Sequence, residues 1–229
     1  MSPIGSVGRS VRGRRLPDAI PDSVFVRLLM DEGSGTTLSD AEGNHNGVLN
    51  QSTWTSDPAF RGGTAPFFDR EDDYGYLDHS NPTEFSVVIR ARADADLSGG
   101  LNDKFLWSHQ LKPGVSYNID SETWNFWNTA DVGKIELPEA QSTVEGSDRI
   151  IAYRLSSSQL SANIYDDGGN EIASDVNTNA TTGYDANRMY LAWDNDGDRY
   201  WGDNLDMLTL ANEHLSDSDL DTVLQEEYL

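Results

Sequence analysis

The sequence predicts an all-β protein made of two packed antiparallel sheets, and three observations predict it. Short apolar or β-branched runs recur from residue 23 onward, each closed by a Gly, Asn or Asp turn. No helices alternate with these runs, which excludes a parallel sheet with crossover helices. Phe85–Ala93 alternates, with Phe85, Val87, Ile89 and Ala91 on one face and Ser86, Arg90 and Arg92 on the other. With 37% apolar and 10% aromatic residues, the 229-residue chain can fill one sizeable core.

Taken in order, Val24–Met30 is apolar except for Arg27 and reads as the first strand. After Phe85–Ala93 come Lys104–Gln110, Val115–Ile119, Thr123–Trp127, Arg149–Leu155 and Leu160–Asp166. Arg188–Trp193 and Asn204–Leu210 complete the set. Asp167-Gly168-Gly169-Asn170 separates two strand-like runs and has hairpin-turn chemistry. One helix is expected over Asp217–Tyr228. Ser216 precedes it with Asp219 three residues on, a capping-box arrangement, and Leu220, Val223 and Leu224 form an apolar stripe.

Composition excludes several functions. Thirty-nine acids against 16 basic residues give a net charge of −23, the wrong sign for general nucleic-acid binding. No apolar run approaches the roughly 18 residues of a membrane-spanning helix. With no cysteine there is no disulfide framework, thiolate nucleophile or Cys-based zinc site. The basic residues are mostly arginine, with only Lys104, Lys112 and Lys134 as lysines. Such a surface suits high salt, where screening to about 3 Å at 1 M suppresses self-repulsion.

Charge also divides the chain. Residues 1–22 carry Arg9, Arg12, Arg14 and Arg15 against Asp18 and Asp22, and contain Pro3, Pro17 and Pro21. They read as a basic, extended N-terminal arm, with residues 23–229 as one folded domain. A twin-arginine export signal at Arg14-Arg15 is rejected, because Leu16-Pro17-Asp18 follows instead of an apolar region. The expected role of the four arginines is attachment to acidic neighbouring subunits.

Leu29-Met30-Asp31-Glu32-Gly33-Ser34-Gly35, Asp40-Ala41-Glu42-Gly43-Asn44 and Asn46-Gly47-Val48-Leu49 together resemble the opening of laminin-G-like, concanavalin A-like domains. Trp54, Ala65–Asp69 with Asp72–Leu77, and Phe85–Ile89 continue the likeness. Near the end, Trp201–Met207 resembles the family's late strand and Leu215-Ser216-Asp217 its closing helix start. The resemblance implies a two-sheet antiparallel jelly-roll sandwich, with residues 95–185 departing most from the pattern. It also implies packing for Trp201, and a calcium site pairing the Asp40/Asn44 turn with Asp206. A hydrogen-bonded Asx turn at Asp40 is the other reading of that segment. The EF-hand-like Asp194–Asp198 run is rejected, because its glycine comes early and Leu205 occupies the twelfth position.

Catalytic constellations are missing from the sequence. Enzymes of this fold that cleave glycans place acids at alternate positions of one strand. Asp120-Ser121-Glu122 and Glu136–Glu139 are the nearest approaches, and both lack a third acid. His45, His79, His109 and His214 have no nucleophile-elbow or metal spacing beside them. Carbohydrate binding is better supplied, since sugar rings need flat apolar faces beside amides. Trp124-Asn125-Phe126-Trp127-Asn128 offers both, so Trp124, Asn125 and Trp127 are candidate sugar contacts, with His109 on a neighbouring strand.

Laminin-G-like chains with short arms and no export signal resemble virion proteins of tailed viruses infecting haloarchaea. The expectation is therefore a non-enzymatic structural or adhesive virion component, such as a capsid decoration, turret or tail-fibre protein. It would be homo-oligomeric, attached to other virion subunits through residues 1–22, and bind host surface glycans, without nucleic acid or membrane insertion. A secreted or cell-surface carbohydrate-binding module of a haloarchaeon is the alternative, and a glycan-degrading enzyme the third.

Overall fold

The structure, a computed structural model, describes residues 20–56, 63–80, 83–98, 102–109, 113–128, 133–180, 187–194 and 199–228. The four candidate arm arginines Arg9, Arg12, Arg14 and Arg15 lie outside these residues, as does 195–198 of the Asp194–Asp198 run.

The strands in chain order are β1 (Val24–Leu28), β2 (Thr37–Leu38), β3 (Gly47–Asn50), β4 (Thr53–Ser56), β5 (Thr64–Asp69) and β6 (Tyr74–Asp78). Next come β7 (Phe85–Arg92), β8 (Asp103–Ser108), β9 (Gly114–Asn118), β10 (Thr123–Trp127) and β11 (Ile135–Pro138). A single-turn helix α1 (Gln141–Val144) precedes β12 (Asp148–Leu155), β13 (Leu160–Tyr165), β14 (Glu171–Asn177), β15 (Arg188–Leu191) and β16 (Gly202–Ala211). The chain then enters α2 (Asp217–Val223), which loosens into a π-helical turn over Leu224–Tyr228.

Two eight-stranded antiparallel sheets result. The first runs β14-β13-β12-β7-β16-β5-β4, with β1 also pairing β16, and the second runs β11-β10-β9-β8-β15-β6-β3-β2. β16 serves two partners on one side because it is long. Gly202–Asn204 pairs with β5, a bulge at Asp206 re-aims the strand, and Leu208–Ala211 pairs with β1. These sheets make the jelly-roll sandwich.

Alternation places the core. Phe85, Val87, Ile89 and Ala91 of β7 meet Trp107, Tyr117, Trp124 and Phe126 from the second sheet, all fully or nearly fully buried. The opposite face of β7 is not open either. Val88 joins Ile150, Met207, Leu220, Val223 and Tyr228 in a second cluster beneath α2. Tyr228 Oη donates to the Val88 carbonyl at 2.6 Å, and Arg27 pairs with the buried Glu227. The helix therefore covers the middle of the first sheet's outer face. The outer face of the second sheet carries the half-exposed aromatic residues.

Candidate functional site

On β6 the alternation sends Gly75 and Leu77 inward and Tyr74, Tyr76 and Asp78 outward. On β15 it sends Met189 and Leu191 inward and Arg188 and Tyr190 outward, and the register sets Tyr190 opposite Tyr76 and Arg188 opposite Asp78. Ala192 then adopts φ 61°, a left-handed conformation uncommon for a residue with a Cβ, and its N–H donates to the Leu106 carbonyl at 2.8 Å. That kink delivers Trp193 onto the same face. Its ring lies 4.8 Å from Tyr74, 5.2 Å from Tyr190 and 6.0 Å from Tyr200, stacked on the last at 4°. Trp193 is the hub of an aromatic patch in which Tyr74, Trp193 and Tyr200 are half-buried and Tyr190 is buried.

A cleft of about 450 Å³ adjoins the patch, lined by His45, Asp78, His79, Asn187, Arg188 and Tyr190. Arg188 grips Asp78 through two bonds of 2.6 and 2.9 Å, and its guanidinium lies 4.2 Å over the Tyr76 ring. The hydrogen bond from Arg188 holds the Asp78 carboxyl below the usual carboxylate range, and Asp78 in turn raises Arg188. Both therefore stay charged near neutrality. Two histidines sit behind the cleft. His79 Nδ1 lies 2.5 Å from the Ser80 carbonyl, and its Nε2 lies 2.7 Å from His109 Nε2. Only a protonated Nδ1 suits that carbonyl, so His79 Nε2 accepts and His109 Nε2–H donates. Burial lowers the His79 pKa and, with help from His79, depresses that of His109 strongly.

The sequence-predicted sugar contacts divide. Trp127 lies on this outer face, its Nε1 donating to Ser116 Oγ at 2.9 Å and Lys134 Nζ 4.1 Å over its ring. It shares one ladder row with Gly114, Ser108, Tyr190 and Tyr76. Three strand spacings, about 14 Å, separate it from Tyr190. Asn125 faces the same way but is 1% exposed, with its amide 3.4 Å from Asp103. Trp124 is corrected: it is 0% exposed, packed edge-on to Tyr117 and tilted against Trp201, and donates to Glu139 at 2.8 Å. His109 is corrected likewise, being 1% exposed with its ring against Phe85 and Trp107. Neither presents a surface to a sugar. Trp201 packs as expected, its Nε1 donating to the Arg92 carbonyl at 3.1 Å. Sequence reading passed over Tyr74, Tyr76 and Trp193, although Tyr74-Gly75-Tyr76 already showed aromatic residues at period two.

The calcium set does not fit the structure. Asp40 Oδ1 accepts the N–H groups of Arg27 and Glu42, and Oδ2 those of Asn44 and His45, at 2.8–3.1 Å. Its oxygens are occupied by the turn they organise, which is the Asx-turn reading. Asn44 turns its amide to the Glu42 carbonyl, and Asp206 pairs with Arg90 at 3.5 Å. Among the described residues, Asp69, Asp72 and Asp73 form the one trio of His or acidic groups close enough to share an ion. Asp73 Oδ2 already accepts the Asp69 N–H and Asp69 Oδ1 that of Glu71.

No family model and no curated protein matches the chain. Solved structures do. The sialidase of Trypanosoma rangeli superposes with a TM-score of 0.64 at 14% identity, over 90% of this chain and 33% of its own. The binding domain of botulinum neurotoxin serotype D gives 0.64 at 12%, over 91% and 53%. Domain 4 of AbnA, an extracellular GH43 arabinanase from Geobacillus stearothermophilus solved with arabinotriose, gives 0.59 at 15%, over 87% and 97%. The chain thus spans about a third of the sialidase and nearly all of the arabinanase domain. At these identities the likeness is one of fold.

Proposed function

We propose that this protein is a non-catalytic glycan-binding module whose ligand lies across the outer face of the second sheet, centred on Trp193. The observation that carries this reading is the aromatic patch of Tyr74, Tyr190, Trp193 and Tyr200 beside a polar cleft. Sugar C–H faces stack on such rings, while Asp78, Asn187 and Arg188 supply the acceptors and donors that hydroxyl pairs require. The arabinanase domain, solved with arabinotriose on the same fold, supports the reading. Most glycoside hydrolases use two facing carboxyl groups. Among the described residues Asp78 is the one acid lining the cleft, and Arg188 holds it ionised, so it supplies no general acid.

Screening on a glycan array at low and molar salt, followed by calorimetry on hits, tests this. Trp193→Ala should weaken binding at least tenfold, about 1.4 kcal/mol, in protein whose far-UV circular dichroism shows it still folded. Silence on neutral and acidic glycans alike, or unaltered binding by the variant, would defeat it. The finer reading is an adhesive virion component, and it rests on the acidic body, the basic residues 9–15 and the laminin-G-like resemblance. Mass spectrometry of purified haloarchaeal virions tests that step. Finding the protein on cell envelopes instead would move the same module to a cellular surface.

A further inference from the structure

A second groove lies on the other sheet, away from the glycan face. It has a volume of about 280 Å³ and runs between β14 and the start of α2, with Glu171, Asp175, Val176, Asp217, Leu220 and Asp221 along it. Arg154 at its base binds Asp217 at 2.7 Å and Asn163 at 3.0 Å, so four acids face one cation. β14 is an edge strand paired on one side by β13. It also bears the exposed large apolar residues found among the described ones, Ile172 at 42% and Val176 at 52%. A groove with apolar and acidic walls fits an extended basic segment laid along it.

The chain supplies such a segment. Arg9-Ser10-Val11-Arg12-Gly13-Arg14-Arg15 carries four positive charges in seven residues, outside the described part of the structure. Reach decides whether the same molecule can use it. One ladder row links Val24 to Ala211, Ser86, Arg154, Ser161 and Val176. At about 4.8 Å per strand, Arg154 lies about 14 Å and Val176 about 24 Å from Val24. The described chain begins at Ile20, which packs against the cluster beneath α2, and a turn from Val24 N–H to Pro21 O keeps it near that row. At about 3.3 Å per extended residue, Arg15 can lie up to about 17 Å and Arg9 up to about 36 Å from Ile20. Those limits bracket the groove.

We infer that the β14–α2 groove is a docking site for residues 9–15 of the same molecule. A tether of four residues holds the segment at an effective concentration in the millimolar range, whereas two copies at −23 each repel one another. The native chain has no cysteine, so an introduced pair reports proximity cleanly. In the full chain, Ser10→Cys with Ser174→Cys should oxidise to an intramolecular disulfide at least tenfold faster than Ser10→Cys with Ser121→Cys. Ser174 lies in the groove and Ser121 on an exposed turn of the second sheet. Replacing Arg9, Arg12, Arg14 and Arg15 by Ser should remove that advantage. Equal rates for the two pairs, or a rate indifferent to the arginines, would overturn the inference. Disulfide-linked dimers in place of monomers would also overturn it, assigning the groove to a neighbouring copy's arm.

Discussion

Trp124 and Trp127 sit three residues apart on one strand and have opposite fates, one sealed in the core and one on the outer face. Alternation made their difference in facing legible, but which parity faced inward depended on Trp201 and Tyr117, which come from elsewhere in the chain. His109 was misread for a related reason. A histidine on an apolar strand looks like a ligand until its partner, His79, is seen to complete it. That pair has a measurable consequence. Both imidazoles have a pKa below their unfolded value near 6.5, so the unfolded chain takes up protons that the folded one refuses. Their stabilising contribution is full above about pH 6.5 and falls as pH drops below it, by up to about 1.4 kcal/mol per pH unit for each histidine. Facing groups include His45, which lowers His79 further, and Asp78, which opposes the shift. His214 carries a burial-lowered pKa too, and adds to the slope. Denaturant titrations between pH 7.5 and 5.5 should show stability declining with acid. The slope should be shallower by about one proton in His109→Gln, whatever that variant's stability at pH 7.5. Parallel slopes for the two proteins would mean that His109 does not stay neutral.

At the scale of elements, the strands with an apolar face were readable within a residue or two, β7, β10 and β12 among them. β4 was not identified as an element, because Thr53–Ser56 buries too little to show a pattern, and β14 was marked only as the run after the Asp167–Asn170 hairpin turn, without bounds. They exist through edge pairing. The closing helix was readable because its start signal is local. Ser216 Oγ accepts the Asp219 N–H at 3.1 Å and bonds the Asp219 carboxylate at 2.6 Å. Its loosening into a π-turn was not, since that register is set by the distant contacts of Glu227 with Arg27 and of Tyr228 with Val88. Ser216→Ala should cost about 1 kcal/mol, and Ser216→Asn much less. Because α2 covers the second core cluster, that loss should appear as a lower global unfolding midpoint, by about 2–4 °C for a chain of this size. Fraying of the helix signal alone, ahead of global unfolding, would mean that the cap acts only locally.

For the whole molecule the governing quantity is the excess of 23 negative charges. Local pairing does not relieve it. Arg90 and Arg92 share Asp148, Arg149 holds Glu139 and Arg27 holds Glu42 and Glu227, so these cations are spent on one or two buried or half-buried partners each. The remaining acids are held together by the fold and spread apart when the chain expands, so their repulsion weighs more on the folded state. Screening lengths of about 8 Å at 0.15 M salt and about 3 Å at 1 M then predict the direction and shape of the response. The unfolding midpoint should climb from 0.05 M toward 1 M NaCl and flatten as the screening length drops below the spacing of neighbouring surface acids. Potassium chloride should give the same curve, because screening does not distinguish the cations. Sodium sulfate should add a further rise above 1 M through its exclusion from apolar surface. Buried pairs such as Arg27–Glu227 are little screened, so the climb should persist when that pair is removed by Glu227→Gln, displaced downward as a whole. A midpoint that stays flat from 0.05 to 1 M would show that the acids lie too far apart to repel, and the composition would then say nothing about salt.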